Sequence, residues 1–248
     1  MSDKKCLRAP DALPNEKPIL FSAPMVRAIL AGTKTQTRRV VTVPWKGSTR
    51  ALPYGPYYVD DCDSPGRLMF CDEYGDYHEW SKCAAPYGAP GDRLWVRETW
   101  APWSSTEDIE NRGEAAVLAD AKAQLPWACV MLRADANGGS VDVKRWRPSI
   151  FMPRWASRLL LEVVSVRVER LHAITPTDAR AEGIKLGELM PARINGEPGQ
   201  VMIFDPIKAY AVLWDAINGK RDGCAWASNP WVWVIEFQRI EEKRHAAE

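Results

Sequence analysis

The sequence predicts a mainly β protein with short helices (α+β), built as a small β-barrel with long loop-rich insertions. Three observations predict it. Residues 92–99, 159–169 and 231–239 either alternate apolar and polar side chains or are continuously apolar, as strands do. The helical patterns are short, and no strand–helix–strand alternation links them. Finally, 248 residues with 46% hydrophobic and 26% charged side chains can bury a sizeable core. That composition excludes collagen-like, disordered and low-complexity chains.

The elements follow in order. Residues 1–17 read as a flexible polar leader. Pro24–Ala31 is predicted to be a short helix, with Ser22 as its candidate cap and Gly32 as its terminator. TKTQTRRVVTV then favours a strand through its threonines and valines. Residues 44–89 are rich in Pro, Gly, Tyr and Asp and read as an insertion, with one hairpin around Arg67–His78. PGDRLWVRETW is a turn followed by a strand. A second insertion spans 104–145 and holds the Ala-rich EAAVLADAKAQL, predicted helical. CVMLRAD (129–135) is a strand running into a turn at Asn137-Gly138-Gly139.

The longest β-favouring run is SRLLLEVVSVRVERL (157–171), where Val164, Val166 and Val168 alternate with Ser165, Arg167 and Glu169. TPTDARAEGI (175–184) is a helix start: Thr175 caps, Pro176 opens, Asp178 sits three residues after the cap, and Gly183 terminates. Residues 185–204 read as a third, loop-like insertion. DPIKAYAVLWDAING (205–219) is an amphipathic helix, and NPWVWVIEFQRI (229–240) is the closing strand before a charged tail at 241–248. The expectation is one domain over residues 18–240.

Bulk charge names no partner, because 33 basic and 32 acidic side chains leave a formal +1. Local charge says more. VKRWRPSIFMPRWASR (143–158) has five basic residues and no acid, interleaved with Trp146, Phe151 and Trp155. Arginines beside aromatic rings suit stacked bases and an anionic backbone. A strand pair with solvated arginines and core tryptophans fits the same pattern, and both readings stand. Arg145, Trp146 and Arg147 are the candidates there.

No apolar run approaches the roughly 18 residues that cross a bilayer, and the N-terminus lacks an apolar signal core, so a cytoplasmic location and no membrane partner are expected. Six cysteines form no CxxC pair. Cys62, Cys71, His78 and Cys83 cluster, but only His78 and Cys83 approach zinc-ligand spacing, so free thiols are the first reading and zinc the alternative. No metal or cofactor is expected. Phosphate-loop, dinucleotide, zinc-protease and nucleophile-elbow motifs do not occur.

MVRAILAGTKTQTRR, PGDRLWVRETW, ITPTDARAEGI and the closing NPWVWVIEF resemble, in order, the blocks of ASCH domains of the PUA-like superfamily. The chain looks like the longer members often encoded by phages and prophages. The resemblance implies a small β-barrel that binds RNA or a modified nucleoside. Its compact bacterial relatives are amidohydrolases that deacetylate N4-acetylcytidine. Matched position by position, their lysine, threonine and glutamate fall on Lys34, Thr37 and Glu182. Arg38 and Arg39 fit phosphate or base contacts, and Arg97 and Glu98 would line the same barrel mouth. The alternatives are a non-catalytic RNA-binding module, or a nuclease using the same basic cleft.

The chemistry suits those residue types. Amide hydrolysis needs a nucleophile, a base and an acid for the leaving amine. A threonine hydroxyl needs its proton removed, and a lysine whose pKa is lowered by burial can take it. The glutamate would hold the lysine or protonate the amine. On an ideal strand Lys34 and Thr37 would face opposite ways, so the turn at Gly32 must bend the chain. Each residue also has an ordinary role open to it: a cation at a helix C-terminus, a strand threonine, a solvated helix glutamate.

Overall fold

The structure, a computed structural model, describes residues 14–41, 56–61, 64–71, 77–80, 86–102, 119, 130–136, 145–187, 189–194 and 197–240. In chain order the elements begin with β1 (Glu16–Leu20), α1 (Ala23–Leu30), β2 (Gln36–Val40), β3 (Pro56–Asp61), β4 (Ser64–Cys71) and β5 (Tyr77–Trp80). Next come β6 (Arg93–Arg97), β7 (Trp100–Pro102), β8 (Val130–Leu132), β9 (Leu160–Arg170) and α2 (Pro176–Ala181). The chain closes with β10 (Leu189–Ile194), β11 (Glu197–Met202), α3 (Pro206–Asn218) and β12 (Trp231–Ile240). The class is strand-rich α+β. No helix among the described residues is long and apolar enough to cross a membrane.

The main sheet has the order β1-β6-β9-β12-β2. β1 and β6 run parallel, and the other neighbours are antiparallel. The three strand runs expected to share one sheet therefore do so, as its three inner strands. β1 and β2 are its ends. No ladder joins them among the described residues. Instead Arg39 Nη2 donates to Leu20 O across the gap at 2.5 Å, and the Phe21 and Phe237 rings meet 6.0 Å apart.

β12 explains how helices come to cover this sheet. Trp233, Ile235 and Phe237 enter one core with Ile19, Val26, Ile29, Leu94 and Leu161. Val232 and Val234 point the other way, into a second core with Leu171, Ala179, Tyr210 and Trp214. A strand buried on both faces reads as a continuous apolar run, which is how WVWVIEF is written. Each such side chain contributes about 1.5–3 kcal/mol on burial. α1 closes the first face; α2 and α3 close the second.

Several local expectations need correction. Ser22 is the N-cap of α1, but its side chain makes no capping hydrogen bond; Pro24 and the backbone suffice to start the helix. Residues 185–204 hold a hairpin, β10–β11, where a loop was expected. Pro191, Pro198 and Gly199 mask it in sequence by breaking the alternation of a strand. The hairpin around Arg67–His78 exists as β4–β5 and gains β3 as a third strand. The Ala-rich stretch apart from Ala119, which is helical, the turn at 137–139 and the side chains of Cys62, Cys71, His78 and Cys83 lie outside the described residues.

Candidate active site

Two tight turns assemble the site. α1 ends at Leu30 with Ala31 as its C-cap, and Gly32 follows with φ +73°, a conformation a side chain resists. Thr33 N and Lys34 N then both donate to Ala28 O. This puts Lys34 outside the β2 ladder, in an isolated bridge with Glu182. The strict alternation that would separate Lys34 from Thr37 therefore starts only at Gln36.

On the other side, α2 starts with a complete capping box. Thr175 Oγ1 accepts from Asp178 N at 3.1 Å, and Asp178 Oδ2 accepts from Thr175 N at 3.1 Å. The helix runs six residues to Ala181, Glu182 is its C-cap, and Gly183 follows with φ +86°. A Cβ on Gly183 would lie 3.0 Å from Ala28 Cβ and 3.1 Å from Lys34 Cβ. The missing side chain is what lets Glu182 approach Lys34.

Lys34 is 2% exposed and Glu182 is 4% exposed. Lys34 Nζ donates to Glu182 Oε2 (2.9 Å), Glu182 O (2.9 Å) and Gln36 O (2.8 Å), using all three of its donors. Burial lowers the Lys34 pKa; the Glu182 charge opposes that, while Arg39 and Arg38 add to it. The Phe21 ring lies 5.6 Å from the ammonium.

Arg38 sits on the other side of Glu182. Its Nη1 is 3.4 Å from Glu182 Oε1, and its Nη2 is 2.6 Å from Glu169 Oε1 and 3.4 Å from Asp178 Oδ2. Gln36, with its amide turned to suit both neighbours, donates to Asp178 Oδ1 and accepts from Arg38 Nη1. Arg167 extends the network through Glu169, Asp178 and Glu236. Four carboxylates thus face three cations behind Thr37.

In front of that network lies a cavity of about 250 Å³. Thr37, Arg38, Arg39, Glu182, Tyr210 and Arg221 are among its lining residues. β2 is an end strand, so its unpaired edge gives onto the cavity, and Thr37, Arg38, Arg39 and Val40 line it in succession. Thr37 is 3% exposed, and its hydroxyl makes no hydrogen bond among the described residues. Tyr210 is buried beside Glu182; burial first and that charge second push its phenol well up, so it stays a protonated donor. Lys34 stands behind Glu182 and outside the lining. The arrangement supplies a hydroxyl, a carboxylate backed by a lysine, and guanidinium donors to one small cavity.

Five of the residues singled out in the sequence therefore come together: Lys34, Thr37, Arg38, Arg39 and Glu182. The other five lie elsewhere. Arg97 stacks over Trp95, 4.6 Å from its ring centre, and donates to Ile150 O. Glu98 is 1% exposed and makes a two-pronged pair with Arg158, which also grips Asp135. This strut ties the end of β6 to Arg158 and Asp135, and Glu98 does not line the cavity. Arg147 bridges Trp100, and Arg133 stacks over Trp146. Arg145 is exposed beside them. Trp95 and Trp100 are core side chains, 7% and 1% exposed, so they offer no stacking face.

Sequence reasoning missed Tyr210, Trp214 and Arg221. The first two read as the apolar stripe of an amphipathic helix, and nothing in that periodicity says which core residue meets a cavity. No family model, curated protein or solved structure matches the chain.

Proposed function

We propose that the chain is an ASCH-type protein of the PUA-like superfamily, and that it removes the acyl group from N4-acylated cytidine. One observation carries this reading: the buried Lys34–Glu182 ion pair, with Glu182 and Thr37 opening on one cavity. Thr37 Oγ1 attacks the acyl carbonyl carbon, and its proton passes to Glu182 and on to Lys34 in its free-base form, which burial favours. The same proton goes to the exocyclic nitrogen as the C–N bond breaks. Water then hydrolyses the threonine ester, releasing the carboxylic acid and restoring the hydroxyl. Arg39, whose Nε–H has no acceptor, offers a donor to the charge that develops on the carbonyl oxygen.

The test is incubation with a panel of N4-acylated cytidines, read by mass spectrometry. Wild type releases cytidine. Thr37→Ala and Glu182→Gln each lose about 10²- to 10⁴-fold in turnover. A wild-type protein inert on the whole panel contradicts the reading.

A second reading, an RNA-binding surface around Arg133, Arg145 and Trp146, is supported by the guanidinium–indole stack Arg133–Trp146. Single-stranded RNA bound there weakens with salt, with a log–log slope of about −0.7 per phosphate contact. A salt-independent affinity counts against it.

A further inference from the structure

α3 measures the depth of the cavity. Tyr210, Leu213, Trp214, Ile217 and Asn218 follow at helical spacing along one face, and all line it. From Tyr210 to Asn218 the helix rises about 12 Å. Tyr210 and Trp214 are each 3% exposed, Ile217 is 52% exposed, and Arg221 just beyond is exposed. The helix therefore runs from the closed end, beside Glu182, to the mouth.

Charge is unbalanced in the same direction. Glu182 is the sole acid on the lining, and Lys34 and Arg38 already pair with it. Arg38 is further compensated by Glu169 and Asp178. Arg39 and Arg221 have no carboxylate partner among the described residues, and both line the cavity. Arg39 also keeps a buried Nε–H without an acceptor. Lys220 adds another exposed cation beside Arg221. The neighbouring acids are engaged elsewhere or unpaired with Arg221: Asp215 accepts from Trp226 N, and Asp222 makes no ion pair with it.

The volume decides what reaches that mouth. About 250 Å³ is below the roughly 300–1,000 Å³ that encloses a drug-sized ligand. A base with its acyl group placed in the closed end would leave its sugar towards the rim, where Arg221 stands. We infer that the substrate is a nucleoside 5′-monophosphate and that Arg221, at the mouth, is the specificity-determining cation for its phosphate. Arg39 adds long-range attraction from the wall. The inference rests on the acyl-cytidine reading of the cavity and narrows its substrate class.

Two assays test it and keep the two claims apart. The first compares kcat/KM for N4-acetylcytidine, its 5′-monophosphate and a short oligoribonucleotide with the modified residue inside. The monophosphate should lead the nucleoside by about 10- to 100-fold, the size of one charge-assisted hydrogen bond. Arg221→Ala should erase that lead through KM, Arg221→Lys should restore part of it, and salt should shrink it. Equal values for the nucleoside and the monophosphate overturn the inference, as does a preference for the oligonucleotide. The second assay is calorimetric binding of CMP and cytidine, which needs no turnover. Tighter CMP binding that is lost in Arg221→Ala upholds the phosphate site even if no acyl compound is hydrolysed. Equal binding of the two overturns it even if hydrolysis occurs.

Discussion

Lys34 and Arg38 are both buried cations touching Glu182, yet they should fail differently when changed. Lys34 has a lowered pKa and can give up a proton; a guanidinium cannot. Lys34→Arg keeps the positive charge and should still cost about 10²- to 10⁴-fold in turnover. If a positive charge beside Glu182 were all that mattered, that variant would retain activity. In the wild type, kcat/KM should rise with pH through a value below 10.5, as Lys34 becomes the free base. A profile that falls across that range would mean the ammonium is the working form. Arg38→Ala belongs with the structural changes. The sequence suggests Arg38 as a phosphate or base contact, but at 4% exposure it holds Glu169, Asp178 and Glu182 together. Its loss leaves Glu169 and Asp178 with Arg167 alone and Glu182 with Lys34 alone, and should destabilise the fold by up to about 3–5 kcal/mol, read from denaturant unfolding.

The turns that present these side chains can be tested as a pair. Gly32 and Gly183 both have positive φ, but a Cβ at Gly32 meets nothing within 4 Å, whereas one at Gly183 meets Ala28 and Lys34. Gly32→Ala should cost only backbone strain, about 1–2 kcal/mol, with the site intact. Gly183→Ala should cost that strain and also push Glu182 from Lys34, lowering kcat as well as stability. Equal effects on kcat would show that the close approach at Gly183 is irrelevant. The capping box of α2 was legible because Thr175, Pro176, Asp178 and Gly183 are local signals with fixed offsets. The bridge between Lys34 and Glu182 was not, since 148 residues separate them and only the resemblance to a family put them in one site. The β10–β11 hairpin hid behind its prolines and glycine, and the Glu98–Arg158 strut behind an ordinary strand pattern.

Across the whole molecule, β6 and β12 could be read as strands from near-continuous apolar runs, and β9 from the alternation of its second half. The joining of β1 to β2 through Arg39 is a side-chain contact that no periodicity encodes. Stability should fall in acid for a reason seated at the site. Burial pushes the Asp178 carboxyl up, but Thr175, Arg38 and Arg167 outweigh it and hold it below 3.8. A depressed carboxyl pKa stabilises the folded chain above its unfolded value, and that contribution is lost as pH falls through the folded one. Glu16, held down chiefly by its hydrogen bond to Arg154, adds to the trend from below 4.5. Urea midpoints should therefore drop below about pH 4, and Asp178→Asn should flatten the drop. In the proposed reaction Thr37 itself becomes acylated. Intact-mass spectrometry on rapidly quenched protein turning over an N4-acylcytidine should find one acyl group, mapped to the peptide that contains Thr37 and absent from Thr37→Ala. Turnover that persists in Thr37→Ala, or an acyl group mapped to another residue, would contradict the account.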